Sequence, residues 1–434
     1  MTAIKLAYVG GGSARAAGTM AAFIVNHGAA FDGSRVSLID IHADHVELVR
    51  RIADAMARAR GLDIRFEGTT DRRAGLAEAD AVLTSYRPGG FEARMLDEKI
   101  PLRHGIIGQE TQGPGGFFMA LRSIHVLKGM LADVEAVAPH ARVFNYTNPV
   151  NILADAATRY SPVPFHSFCE GAYDFPEELA QAAGLDPTRL TATMVGLNHT
   201  IWSTDHAYDG GDLMTVLDDV WADMQRRKDV SPADRRFVKL AVMMRSVPSQ
   251  YLRYYYFHDE IRDELLAKPT SRGEDILSWL PDYWAHYAEQ AQSPNPTLDP
   301  KRSRGGIFEL ELALDAMDSY YNDKGLVLPI NTPNVGGALP GFPEDLVVEV
   351  WTKVDRDGMH AIKSKPLPGH VVGLIKMLGE YQRLAADAAW KGTRIDAIRA
   401  LASHPWVLSL DLAEQLYDEM AAAQRAYLPD RLLA

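Results

Sequence analysis

A short apolar run, Lys5-Leu6-Ala7-Tyr8-Val9, stops at Gly10-Gly11-Gly12-Ser13, and helical sequence follows the glycines. A strand feeding a glycine turn and then a helix points free backbone N–H groups and the helix dipole at one place, which makes an anion site. Gly10 and Gly12 supply the tight turn and the close backbone approach that a pyrophosphate needs, with Ser13 beside them. The third position of the usual dinucleotide fingerprint carries Arg15 rather than Gly. A second strand-like segment, residues 36–40, ends at Asp40. A carboxylate there bonds a ribose hydroxyl and repels the extra phosphate of NADP, so NAD is the expected cofactor.

The alternation continues, with strand-like segments at 64–67, 81–86 and 141–146 between helical stretches. Asp44 is the expected N-cap of a helix whose apolar positions Val49, Ile52, Ala53 and Met56 fall on one face. Such alternation predicts a doubly wound, Rossmann-type parallel sheet of the α/β class, assigned to an NAD-binding domain at 1–200. Further strand-like runs at 163–169 and 190–197 lead into a helix-rich, mixed α+β second domain, 201–434, expected to carry substrate and oligomer contacts. There Ile307, Leu310, Leu314 and Met317 form an apolar stripe, 293–297 reads as a loop, and 411–427 reads as a docked helix.

Lys and Arg total 45 against 57 Asp and Glu, a net charge of −12, which argues against a nucleic-acid binder. An anionic small substrate stays compatible, because a few arginines in one cleft set a local field of opposite sign. One cysteine excludes an intramolecular disulfide and fits a reducing compartment. No segment has the run of roughly 18 apolar residues that crosses a bilayer, and Met1 leads into a strand-like segment without a secretory pattern. A cytoplasmic location is expected.

Four further segments carry chemistry. The first runs from Gly89-Gly90-Phe91-Glu92-Ala93-Arg94 through Gly108-Gln109-Glu110-Thr111 to Gly116, and the second is Asn145-Tyr146-Thr147-Asn148-Pro149. The third pairs Cys169-Glu170-Gly171 with Gly196-Leu197-Asn198-His199, and the fourth is Val247-Pro248-Ser249-Gln250-Tyr251-Leu252-Arg253. Cys169 and His199 each close a strand-like run. A thiolate and an imidazole together form an incomplete coordination sphere, open to substrate oxygens. A lone cysteine is otherwise a small hydrophobe, and the tyrosines after Tyr251 are otherwise packing.

In these segments the sequence resembles glycoside hydrolase family 4, the NAD- and divalent-metal-dependent glycosidases, and most closely its 6-phospho-glucosidase branch. The resemblance implies metal ligands at Cys169 and His199, with manganese (Mn2+) the usual ion. It implies a base at Tyr251, anion-holding arginines at Arg94 and Arg272, and sugar and nicotinamide contacts at Asn148 and Asn145, with a fainter match at Asn331. It also implies the reaction: oxidation at C3, removal of the C2 proton, elimination of the aglycone, water addition and return of the hydride. Where the family's α- and β-branches carry Asp or Asn after the metal-binding cysteine, this chain carries Glu170, which can donate a proton to the leaving group. That departure keeps open a related substrate class, glycosides of sulfoquinovose, because phosphate and sulfonate both offer three oxygens to an arginine pair. Anomer preference is equally open. The family is commonly dimeric or tetrameric, so a homodimer or homotetramer is expected. The competing reading is an NAD-dependent dehydrogenase of a small hydroxy acid, which shares the nucleotide domain but needs no thiolate–metal centre.

Overall fold

The computed structural model describes residues 2–304 and 310–434. Eleven strands are present among them: β1 (Lys5–Val9), β2 (Arg35–Ile39), β3 (Arg65–Thr69), β4 (Ala81–Thr84), β5 (Arg142–Asn145), β6 (Phe165–Ser167), β7 (Leu190–Val195), β8 (Trp202–Tyr208), β9 (Leu326–Pro333), β10 (Val347–Asp355) and β11 (Gly358–Ala361). Nine of them form one sheet in the order β11-β10-β9-β6-β5-β4-β1-β2-β3, while β7 and β8 pair separately. From β3 to β6 the pairing is parallel throughout, the doubly wound order, with its switch point between β1 and β4. The antiparallel strands β9 to β11 extend this sheet past β6, so it takes strands from both sides of residue 200.

The central strands are apolar on both faces because helices cover both. Ala7, Val9, Val82 and Val143 face a core shared with the helices Gly113–Val137, Val150–Tyr160, Gly369–Trp390 and Leu410–Ala423. Leu6, Tyr8, Leu38 and Phe144 face the helices Ala16–Ala22, Ala43–Ala59 and Glu311–Asn322. Each such side chain contributes about 1.5–3 kcal/mol when fully buried. A third core, with Phe175, Met194, Val238 and Val247, joins β7 and β8 to the helices Leu213–Met224 and Pro232–Met244.

The expected strands are present; β1 to β3 keep their expected bounds to within two residues, while β4, β5, β6 and β7 are two to four residues shorter, because the residues after the last ladder bond turn into the site loops. The expected N-cap Asp44 is corrected: His42 precedes the helix Ala43–Ala59, and Asp44 lies in its first turn. There its charge still complements the helix dipole. Leu310, Leu314 and Met317 are buried together in the second core, while Ile307 lies outside the described residues. Residues 293–297 form a loop, and the C-terminal helix spans Leu410–Ala423. No helix among the described residues is long and apolar enough to cross a membrane.

Candidate active site

The glycine turn sits at the switch point, at the carboxyl ends of β1 and β4. Gly10 adopts φ 97°, and a Cβ there would stand 2.1 Å from the Ser85 carbonyl oxygen, so only glycine fits. Asp40 accepts a hydrogen bond from the Gly12 amide at 3.1 Å, which ties the end of β2 to the turn. The Ser13 hydroxyl is buried beside them and meets no hydrogen-bond partner of good geometry. A close backbone approach, a spare buried hydroxyl and a carboxylate at the second strand end suit a dinucleotide.

His199 is 5% exposed and lies in a left-handed turn, with φ 65°. Only a few per cent of residues other than glycine adopt that backbone, and such strain concentrates at functional sites. The Thr111 hydroxyl stands 2.9 Å from His199 Nδ1 and donates its own hydrogen to Gln109 Oε1, also at 2.9 Å. With its one hydrogen committed, Thr111 accepts from Nδ1–H, which leaves the Nε2 lone pair of His199 available. Burial pushes the imidazole pKa down to about 4, so the ring is neutral near pH 7 and suited to ligate a cation. Gln109 Oε1 also accepts from the backbone of Thr111 and Gln112, which fixes the loop that presents Thr111. That loop crosses the preceding helix so closely that a Cβ on Gly108 would lie 1.6 Å from the Glu98 carbonyl oxygen.

The Tyr251 ring stacks on His199, with centroids 3.9 Å apart. Ser249 holds it there, giving its hydroxyl hydrogen to the His199 carbonyl and accepting from the Tyr251 amide. Burial raises the phenol pKa, and Cys169, Tyr254 and Glu110 raise it further. Burial likewise pushes the Cys169 thiol up, with Glu349 and Glu170 adding to it, while hydrogen bonds from the Gly171 backbone and the Asn198 side chain oppose it. The imidazole and phenol are thus stacked, the Cys169 thiol is near enough to act on the phenol, and Glu110, Glu170 and Glu349 place carboxylates around the three groups. Among the described residues no three His, Cys, Asp or Glu side chains are grouped to cage a metal alone. The pair Cys169 and His199 expected as metal ligands would by itself leave positions open, as a catalytic site requires.

Burial also raises the Glu170 pKa, which favours its protonated form, and Tyr146 donates a hydrogen bond to its Oε1. Asn145 was expected at the nicotinamide, yet its amide donates to the Thr147 carbonyl and to Ser167 Oγ and accepts from Thr84 and Thr147. That side chain is saturated within the sheet. Asn148, three residues on, is partly exposed.

Arg94 donates to Glu98 at 2.7 Å and forms an ion pair with Glu110 at 2.9 Å, and Arg87 forms another with Glu110 at 2.6 Å. Burial opposes the Glu110 charge, but Arg87, Arg94, Arg304 and Arg15 outweigh it and hold the carboxyl well below its ordinary range. Arg304 is pushed down to about 9 by burial and by Arg15 and Arg87. Several guanidinium groups thus gather around Glu110, an arrangement whose donors suit an anion. Arg272 stacks on Trp279 at 4.8 Å, and the next residue, Gly273, donates its amide to Glu98. Arg94 and Arg272 therefore flank Glu98 and line the same cavity of about 500 Å³, together with Gln109, Glu110 and Tyr254.

Several functional residues lay beyond the sequence reading: Gln109 and Thr111 behind His199, Glu110 and Arg87 beside Arg94, and Glu349 beside Cys169. The Gly108-Gln109-Glu110-Thr111 motif was a visible signal without a visible partner. Glu349 gave no signal, lying inside an ordinary strand pattern. Burial raises its pKa to about 7, partly offset by hydrogen bonds from Asn198 and Asn331.

Two family models together span most of the chain: "Family 4 glycosyl hydrolase" matches residues 5–185, and the family's C-terminal domain matches 194–407. A probable 6-phospho-beta-glucosidase of Bacillus subtilis (strain 168) is 32% identical over 98% of this chain and 97% of its own length. A 6-phospho-alpha-glucosidase of Leptotrichia buccalis is 26% identical, with 99% of each chain covered. The solved 6-phospho-beta glucosidase of Thermotoga maritima, crystallised with manganese, NAD+ and glucose-6-phosphate, superposes with a TM-score of 0.82 at 23% identity over 98% of this chain and 99% of that one. Sequence likeness over the full length, carried on a shared fold, places the chain in family 4 of the glycosyl hydrolases.

Proposed function

We propose that the chain is an NAD- and Mn2+-dependent hydrolase of 6-phosphoglycosides, acting in the cytoplasm as a homodimer or homotetramer. The observation that carries it is the Tyr251–His199 stack, placed beside Cys169 and next to a cluster of buried arginines. The names of the relatives of both anomeric types support the phosphoglycoside over the sulfoquinovoside. The single cysteine supports a reducing compartment. Exposed Ile395, Leu408 and Leu410 near the C-terminus support self-association.

The roles follow from the groups. The glycine turn, Ser13 and Asp40 hold NAD, and Cys169 with His199 Nε2 holds the metal. When bound, these two groups supply reversible hydride transfer at C3 and Lewis-acid polarisation of the neighbouring oxygens. Arg94 and Arg272 fix the 6-phosphate and so orient the ring. Tyr251 takes the C2 proton on its phenolate oxygen, a form that a cation held at the metal position would favour against the raised pKa. Glu170, whose protonated form burial favours, gives its proton to the aglycone oxygen as the C1–O bond breaks, and its carboxylate can then draw a proton from the entering water. The hydroxy-acid dehydrogenase reading has no use for this constellation.

The test compares nitrophenyl 6-phosphoglucosides of both anomers with nitrophenyl sulfoquinovoside, in the presence of NAD and Mn2+. Turnover of a phosphoglucoside, with solvent deuterium appearing at C2 of the product, is the expected result. Turnover of the sulfonate alone, or product without label, would overturn the reading.

A further inference from the structure

Beyond the two metal ligands, one buried carboxylate stands next to the thiol and takes no part in the roles above. The register of the sheet brings it there. Thr84 pairs with Asn145, Asn145 with Ser167, Ser167 with Asn331, and Asn331 with Glu349, across β4, β5, β6, β9 and β10. Glu349 in turn bridges Gly196, the residue that opens the turn carrying Asn198 and His199. Each side chain in this row is fully or almost fully buried. A polar row through the centre of a sheet is costly unless its members satisfy one another, so its persistence asks for a reason.

The hydrogen bonds supply one. Glu349 Oε2 accepts from Asn198 at 2.9 Å and from Asn331 at 3.2 Å, while Glu349 Oε1 and Asn331 Oδ1 are buried without partners. Asn198 also hydrogen-bonds the Cys169 side chain. The carboxylate therefore holds in place the same amide that meets the Cys169 thiol. A terminal amide left alone is free to rotate, so without Glu349 the hydrogen bond to sulfur has no fixed direction.

We propose that Glu349 is a positioning residue for the metal centre, acting through Asn198 on the Cys169 sulfur, with Asn331 completing its own support. The inference rests on the reading of Cys169 and His199 as metal ligands. Residues that orient metal ligands typically change metal affinity by about 10–100-fold when removed.

The test measures Mn2+ binding calorimetrically to the NAD-loaded enzyme, and the thiolate-to-metal absorption of the Co2+ form, without turnover. Glu349→Ala should weaken Mn2+ binding by about 10–100-fold and shift the Co2+ band, with NAD affinity unchanged. Glu349→Gln, whose amide oxygen still accepts from both asparagines, should restore most of the affinity. Asn198→Ala should reproduce the loss, and adding Glu349→Gln to it should cost nothing more. Should the alanine at 349 fail to fold, the asparagine variant and the double variant carry the test. Equal losses in the Gln and Ala variants would assign the effect to charge and overturn the positioning role, as would an unchanged band in Asn198→Ala. Failure of the wild-type enzyme to bind Mn2+ at all would instead overturn the metal reading, and this inference with it.

Discussion

The phenol ring of Tyr251 lies flat against the imidazole of His199, with centroids 3.9 Å apart and an interplanar angle of 3°. The proposed base and a proposed metal ligand are thus one rigid unit, anchored by Ser249 to the turn that carries His199. Burial and nearby anionic groups raise the phenol pKa, whereas a cation held at His199 lowers it. Proton removal by Tyr251 is thereby tied to occupancy of the metal position. Tyr251→Phe keeps the stacked ring and removes only the hydroxyl. Turnover should fall by about 10²–10⁴-fold, while NAD and Mn2+ affinities by calorimetry stay as in the wild type. Near-normal turnover would remove Tyr251 as the base.

Thr111 orients His199 with a single hydroxyl. Thr111→Val preserves the shape and leaves Nδ1–H without its acceptor, so either tautomer becomes available to the ring. Mn2+ affinity should drop by about 10–100-fold, and excess metal should recover most of the turnover. A turnover loss that added metal leaves unchanged would contradict an orienting role.

Glu170 is tested by the leaving group. A good leaving group departs without proton donation, whereas a simple alkoxide does not. Glu170→Gln should therefore slow a methyl 6-phosphoglycoside by about 10²–10⁴-fold and a dinitrophenyl one far less. Because burial raises the carboxyl pKa, the protonated form is present below that pKa and is lost as pH rises through it. For the methyl substrate, the alkaline limb of kcat should accordingly vanish in the variant. Equal slowing of both substrates would place Glu170 outside proton transfer.

Arg94 pairs with two carboxylates and lines the cavity that Arg272 also lines. Arg94→Ala should raise KM for a 6-phosphoglycoside by about 10–100-fold, the worth of one hydrogen bond to a charged group, and leave KM for the neutral glycoside nearly unchanged. Equal effects on the two substrates would make the arginine structural.

Arg122 and Asp97 form an ion pair in which both side chains are 0% exposed, and Gln424 bonds both members. Burial raises the Asp97 pKa even though Arg122 and Gln424 oppose it. Arg122→Ala leaves that carboxylate buried and alone, which should cost about 3–5 kcal/mol in urea unfolding of the apoenzyme. A loss below about 1 kcal/mol, the worth of a surface pair, would mean that water reaches the carboxylate.

Much of this chain is readable locally. The β1 segment, its glycines and Asp40 lie within forty residues, and strand ends in parallel sheets put them at one switch point by construction. Cys169, His199 and Tyr251 stood out through their motifs, and of these the structure brings the His199 and Tyr251 rings into contact. Asn145 shows the opposite case: residue type and position matched a cofactor contact, but its hydrogen bonds are consumed inside the sheet. Nothing in the residue itself distinguishes the two fates.

From the chain alone came the layered α/β plan, the nucleotide turn and the residue types needed for the chemistry, because periodicity and turn chemistry act over short stretches of backbone. The partner of each side chain came only from three-dimensional packing. Thr111 meets His199 across 88 positions, and Glu349 meets Asn198 across 151. Those meetings depend on strand order, on the antiparallel return of β9 and β10, and on a one-residue register that decides which side chains share a row. A hydrogen bond is short and directional, so only a finished fold decides which of many polar groups it joins.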